Sequence, residues 1–329
     1  MKLLFIGGTG IISSACSPLA LEQGMDLYLL NRGTSFRPAP EGAKLLNGDI
    51  RNPASVREAI GDLHFDAVVD WIAFTPEHIE VDIELFNGRT EQFVFISSAS
   101  AYQKPIAALP ITESTPLHNP YWEYSRNKIA CEERLVKAYR EDGFPMTIVR
   151  PSHTYDQTLL PMGGGYTVVN RMREGKKVIV HGDGTSLWTL THHRDFAHAF
   201  VGLLGNNHAI GDAFQITSDE LLTWNQIFEL VAHAAGVEAN IVHIPSEFIA
   251  QFDQDWGDGL LGDKMHSVIF DNSKIKRLVP DYVASIPFAR GVQEILAWYD
   301  ADPARQVVDA EKDAMMDRII TAYESGLSG

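Results

Sequence analysis

In the stretch YWEYSRNKIACEERL, Tyr124 and Lys128 stand four residues apart, so on a helix they share one face and occupy adjacent turns. A phenol titrates near about 10, and a neighbouring ammonium favours its charged form, which predicts a Tyr124 drawn down toward general acid-base work. Tyr121 lacks this geometry, because the residue four positions on is Ser125. Upstream, FISSASAY places Ser97, Ser98 and Ser100 at the carboxyl end of an apolar run, where a hydroxyl can hold a substrate oxygen for the phenol. A Tyr and a Lys at this spacing also occur together on solvated helix faces, so the elements that position them decide the matter.

The first such element is the N-terminal FIGGTGIISS. Gly7, Gly8 and Gly10 follow the first apolar run and open a helical pattern, the context in which small residues let a pyrophosphate approach the backbone and face helix N–H groups. Ser13 takes the place of a third glycine and is expected to fit with slightly looser packing. At the tip of the second strand the chain reads Leu30, Asn31, Arg32, Gly33, with no carboxylate to hold ribose hydroxyls or to repel a 2′-phosphate. Arg32 offers a planar fork suited to that phosphate, with Arg37 as a second cation, so NADP is favoured over NAD; stacking on adenine is the alternative role for Arg32. Asp49, after the third strand, is placed to meet the adenine edge, and Trp71, Ile72 and Ala73, after the fourth, to wall the site.

Apolar runs at 3–6, 26–30, 44–46, 67–70, 93–96 and 147–149 are separated mostly by helical patterns, which predicts a parallel sheet covered on both faces: an α/β, Rossmann-type, doubly wound domain over 1–155. Residues 156–329 read mainly as a smaller C-terminal substrate-binding lobe, with segments near 190–220 returning to the sheet. Within it Thr223 and Gln226 have capping-box spacing, and 303–323 reads as one long helix. The chain has 329 residues, 45% hydrophobic, a composition of ordinary globular proteins. Two cysteines, Cys16 and Cys131, with no CxxC pairing argue against a disulfide framework, and a signal peptide and a membrane span are not expected, so the protein is expected to be cytoplasmic. The net charge of −16 opposes binding to phosphate backbones, which argues against nucleic acid as a partner. His192, His193 and His198 lack accompanying ligands at metal spacing, so no metal is expected; Trp188 is open between a substrate platform and core.

With IVRPSHTYD, HGDGTSLWTLTHHRDFAHAF and FDNSKIKRLVPDY added to the glycine turn, the serine segment and the Tyr124/Lys128 pair, most of the chain resembles the extended short-chain dehydrogenase/reductases of the NAD-dependent epimerase/dehydratase group. The resemblance implies Ser98, Tyr124 and Lys128 as catalytic residues, Lys128 also holding the nicotinamide ribose. It implies cofactor contacts from Gly7, Gly8, Thr9, Gly10, Ile11 and Ile12, from Asn31, Arg32, Asp49 and Ile50, from Trp71, Ile72 and Ala73, and from Pro151 and His153. For His153 a structural role is the alternative. It further implies a small-molecule substrate such as a nucleotide sugar, and a homodimer formed through the helices beside Tyr124. The chain departs from the group's sugar dehydratases, which carry an acid pair after the catalytic Ser/Thr, because Ala99 and Ser100 stand there. The reaction expected is epimerisation or oxidoreduction at a hydroxyl or carbonyl carbon. A simple NADPH-dependent carbonyl reductase and a non-catalytic dinucleotide-sensing protein, related to chloroplast stem-loop-binding proteins and so to RNA, are the alternatives.

Overall fold

The computed structural model describes residues 1–35 and 37–327. Seven parallel strands form its central sheet: β1 (Lys2–Ile6), β2 (Asp26–Asn31), β3 (Lys44–Asn47), β4 (Ala67–Asp70), β5 (Phe93–Ile96), β6 (Met146–Pro151) and β11 (Ala213–Ile216), in the order β11-β6-β5-β4-β1-β2-β3. The inner strands are continuous apolar runs because both faces are covered. One face packs on α1 (Ser13–Glu22) and α6 (His193–Leu203), through Cys16, Ala20, Phe196 and Phe200. The other packs on α2 (Pro53–Ile60), α3 (Pro76–Phe86) and α4 (Glu123–Asp142), through Val56, Ile79, Phe86, Cys131 and Leu135. The chain runs outward from β1 to β3 and then returns to β4 on the other side of β1, so the carboxyl ends of β1 and β4 flank the crevice where open α/β sheets take ligands.

Residues beyond β6 build a second core around Tyr155, Trp188, Trp224, Phe288 and Met316. Three short pairs frame it: β7 (His153–Tyr155) with β10 (Leu190–His192), β8 (Lys177–His181) with β13 (Asn240–Ile244), and β9 (Leu187–Trp188) with β12 (Leu222–Thr223). Its helices are α5 (Tyr166–Arg173), α7 (Trp224–Ala234), α8 (Ser246–Ala250), α9 (Gln254–Gly259), α11 (Phe288–Asp300) and α12 (Ala310–Leu327), while α10 (Ser273–Leu278) packs beside β11 and α6. The capping box forms as the spacing predicts, with Thr223 and Gln226 bonding reciprocally at the start of α7.

The single helix expected over 303–323 is instead two pieces. Asp302 caps a 3₁₀ turn, Pro303–Arg305, and α12 starts only at Ala310. Asp309 is the reason: its carboxylate accepts the Glu311 and Lys312 N–H groups at 3.1 and 3.0 Å and so starts a new helix. Among the described residues no helix is long and apolar enough to cross a membrane.

Candidate functional site

A cavity of about 780 Å³ opens at the crevice between β1 and β4, within the roughly 300–1,000 Å³ usual for ligand clefts. The glycine turn, Ser98, Tyr124, Lys128, Pro151 and His153 all line it. A neighbouring cavity of about 390 Å³, bounded by Asn31, Arg32, Asp49 and Ile50, shares Gly7, Ser35, Ile72 and Phe74 with the first.

The turn has the form a dinucleotide needs. Gly7 and Gly8 have φ of +96° and +86°, and a Cβ on Gly8 would lie 2.7 Å from Leu29 Cδ2, so neither position suits a side chain. Ser13 is buried, and its hydroxyl accepts the Gly10 N–H at 2.8 Å, so serine at the third position bonds into the loop. Thr9 Oγ1 donates to Ser35 Oγ at 3.0 Å, joining the turn to the loop after β2. These features fit a nicotinamide dinucleotide, whose pyrophosphate the Gly7–Ile12 turn would hold.

Most of the residues expected to touch a cofactor line one cavity or the other: Thr9, Gly10, Ile11, Ile12, Trp71 and Ile72 the larger, with Ile72 also on the smaller. Ala73 is the correction. It is fully buried and lines neither, and its carbonyl is instead the acceptor for Lys128 Nζ at 2.7 Å. Arg32 is exposed with its guanidinium 4.0 Å from Asp49, while Arg37 pairs with Asp156 at 2.8 Å and reaches Thr158, tying the loop after β2 to the second lobe.

Ser98 and Ser100 share a hydroxyl contact of 2.9 Å, and Ser125 Oγ donates to Ser100 at 2.7 Å. Desolvation pushes the Tyr124 phenol up to about 12, against the pull of its hydrogen bond with Ser98. This reverses the direction the spacing predicts. Lys128 is turned away: its Nζ donates to the carbonyls of Ala73 and Ile96, both at 2.7 Å, and lies 5.8 Å from the Tyr124 ring centre. Burial lowers Lys128 itself to about 8. Phe74, between the two cavities, covers the ammonium at 4.7 Å.

Beneath this wall lies a carboxyl pair that the sequence did not single out. Asp70 Oδ1 accepts the Ile72 and Ala73 N–H groups at 2.5 and 2.8 Å, and Asp82, from α3, lies beside Asp70. Both are fully buried, so desolvation raises both, and the Asp70 charge raises Asp82 further.

His153 is pushed down to about 3 by burial and accepts Trp188 Nε1–H at 3.3 Å, a neutral ring that fixes the indole. His192 pairs with Glu294, and His193 contacts Ser14 Oγ at 2.8 Å; among the described residues no cluster of three potential ligands could hold a metal. Sequence reasoning missed Trp122, at the start of α4, and Asp263, Lys264, Val268 and Phe270, which bring the second lobe to the wall of the larger cavity. Only Trp122 had a local signal, two residues before Tyr124; the others depend on how the second lobe folds back.

A profile of the family described as NAD dependent epimerase/dehydratase matches residues 3–217. The chain is 26% identical over 288 residues to 2′-dehydrokanamycin reductase of Streptomyces kanamyceticus, covering 86% of this chain and 80% of that one. It is 28% identical over 268 residues to the chloroplast stem-loop binding protein of 41 kDa b of Arabidopsis thaliana, covering 75% and 67%. Among solved structures, the UDP-glucose 4-epimerase of Bifidobacterium longum in complex with NAD+ and UDP superposes with a TM-score of 0.74 at 19% identity, covering 92% of this chain and 99% of that one, a likeness of fold.

Proposed function

The chain belongs to the NAD-dependent epimerase/dehydratase family, an enzyme of the extended short-chain dehydrogenase/reductase type, and from that premise we propose oxidoreduction at a hydroxyl- or carbonyl-bearing carbon of a small molecule, with NADP preferred over NAD. The observation that carries the reading is that Ser98, Tyr124 and Lys128 line the same cavity as the glycine turn.

A dinucleotide held by the Gly7–Ile12 turn would supply or accept the hydride at the substrate carbon. Tyr124 holds the matching proton on its phenol oxygen. With a pKa raised to about 12 it is protonated at neutral pH, the state needed to donate to a carbonyl oxygen as that carbon is reduced. Ser98, bonded to Ser100 and lining the cavity with Tyr124, orients the oxygen that receives the proton. Lys128 supports the wall by gripping Ala73 and Ile96, and its ammonium stands beside the ring face. In the oxidative direction Tyr124 must first lose its proton. Arg32, on a β2 tip that carries no carboxylate of its own, supports the NADP preference, with Asp49 as its neighbour at 4.0 Å.

The test is to incubate the purified protein with NADP or NAD, oxidised or reduced, and panels of nucleotide sugars and simple carbonyls, following nicotinamide absorbance and separating the products. Stoichiometric turnover of NADPH supports a reductase. A sugar isomer formed without net cofactor change supports an epimerase. No change with any of them defeats the proposal and returns weight to a dinucleotide-sensing role, for which the relation to the stem-loop binding protein is the motive and the net charge of −16 the objection.

A further inference from the structure

We infer that the substrate is a phosphate-free ring compound, a cyclic polyol or glycoside, seated against Trp122 and Trp188 with Asp263 accepting one of its hydroxyl or ammonium hydrogens. The inference rests on the reading that Ser98 and Tyr124 mark the reacting end, since Trp122 packs on Tyr124 at 4.9 Å between ring centres.

The wall is built by an unusual turn. Residues Leu260–Lys264 form a π-helical turn, closed by Met265 N–H donating to Leu260 C=O at 3.0 Å, and such turns often mark functional sites. The Lys264 carbonyl is left to accept from His181, Trp224 and Ser186 at 3.0, 3.1 and 3.4 Å, which locks the turn to the second-lobe core. Asn119 Nδ2 bridges the Gly262 and Ser100 carbonyls at 2.7 and 2.9 Å, joining the turn to the serine segment. A side chain at Gly262 would enter the space of Trp122, its Cβ only 2.7 Å from that of the indole, so the close approach is specified by the sequence. Asp263 and Lys264 are thus held at fixed positions, and both lie beyond residue 217, where the family match ends.

Charge decides the class of ligand. Among the described residues that line the larger cavity, the charged ones are Lys128, Asp263 and Lys264. Lys128 is occupied by two carbonyls. Lys264 Nζ lies 3.8 Å from Asp263 and over the Trp122 and Trp188 rings at 5.2 and 5.9 Å, so its charge is met by its neighbours. Asp263 also faces the buried Lys104 ammonium at 3.5 Å. A diphosphate is bound through guanidinium forks, several lysines or a helix N-terminus. The helix N-terminus here belongs to the glycine turn, and the described lining contains no arginine. Val268, Phe270 and the half-buried Trp122 indole, backed by the buried Trp188, are suited to the C–H face of a ring, with the Asp263 carboxylate, shared with Lys104 and Lys264, to fix its orientation.

The experiment titrates the NADP-loaded protein by calorimetry and tryptophan fluorescence with four probes: a methyl glucopyranoside, a methyl glucosaminide, UDP and UDP-glucose. Saturable binding of a glycoside and none of UDP or UDP-glucose is the expected result. Trp188→Ala should weaken the glycoside by about three- to tenfold. The isosteric Asp263→Asn, checked by a thermal melt because it also takes the counter-charge from the buried Lys104, should weaken the glucosaminide more than the glucoside. Saturable binding of UDP or UDP-glucose, or binding of none of the four, overturns the inference. Because the readout is binding without turnover, its failure is separable from that of the hydride-transfer proposal, which is read on cofactor absorbance.

Discussion

Replacing Glu132 by alanine tests how the site is held. Glu132 lies one helical turn beyond Lys128 on α4, 2% exposed, and its carboxylate accepts Arg150 Nη2 and Nε at 2.6 and 3.0 Å as well as the Ser97 hydroxyl. Three elements of the site meet on this one group: α4 with Tyr124, β5 with the serine segment and β6. In Glu132→Ala the Arg150 guanidinium stays buried, keeping the Glu113 carbonyl at 3.1 Å and the Tyr102 ring face at 4.9 Å but losing the carboxylate that pairs with it directly. Breaking one side of such a pair costs about 3–5 kcal/mol. With an unfolding entropy of about 2.1 cal/mol/K per residue, the 329-residue chain loses stability at about 0.7 kcal/mol per degree, so Tm should fall by about 4–7 °C. Circular dichroism melts of Glu132→Ala, Arg150→Met and the pair Glu132→Leu/Arg150→Met give the assay. The double variant should recover most of the loss, because an apolar pair of similar volume leaves no buried charge. A Glu132→Ala melt within about 1 °C of the parent, or a double variant at the sum of the singles, refutes the reasoning.

Other outcomes follow from the same geometry. Asp82→Asn removes the like charge and offers an amide donor to Asp70 Oδ2, which has no partner in the parent, and should cost little in denaturant unfolding, whereas Asp82→Leu offers no donor and should cost about 1–3 kcal/mol; equal losses would contradict a polar contact between the two side chains. Arg32→Ala should lower the preference for NADPH over NADH in equilibrium binding by about tenfold, and an unchanged ratio would remove the basis for favouring NADP. Burial depresses His193 to about 4, so the unfolded state takes up its proton first, and stability falls as pH drops through about 6.5 toward 4. Comparing urea midpoints at pH 7 and 5, His193→Gln should lose less stability than the parent by roughly 2 kcal/mol, and parallel losses would show that this imidazole does not titrate as described.

The fold was legible because its signals are local and agree with one another. The run Leu3–Ile6 with Gly7, Gly8 and Gly10 behind it is continuous enough to be a buried parallel strand entering a turn, and the structure adds only Lys2 to that strand. The cluster of Ser98, Tyr124 and Lys128 was readable for the same reason, since helix spacing and strand-end position are both written in the chain. The direction of the Tyr124 pKa was not. It depends on how deeply the folded chain buries the phenol, which residue spacing does not show, while the ammonium that the spacing pairs with it is held by the Ala73 and Ile96 carbonyls. Asp263 and Lys264 were hidden because a π turn has no residue signature, and their place on the cavity arises from long-range contacts such as Asn119 to Gly262. The break before α12 was written in Asp309, but the charged residues on either side made one long helix look continuous.

The most direct test of the account is Tyr124→Phe, measured as single-turnover oxidation of NADPH with whichever carbonyl or ketosugar the parent reduces, alongside NADPH affinity. The phenylalanine keeps the ring against Trp122 and Phe74 and removes only the proton carrier. The account predicts a rate lower by about 10²–10⁴-fold with cofactor affinity unchanged. An unchanged rate would mean that the proton comes from another group and that Tyr124 does not carry the chemistry.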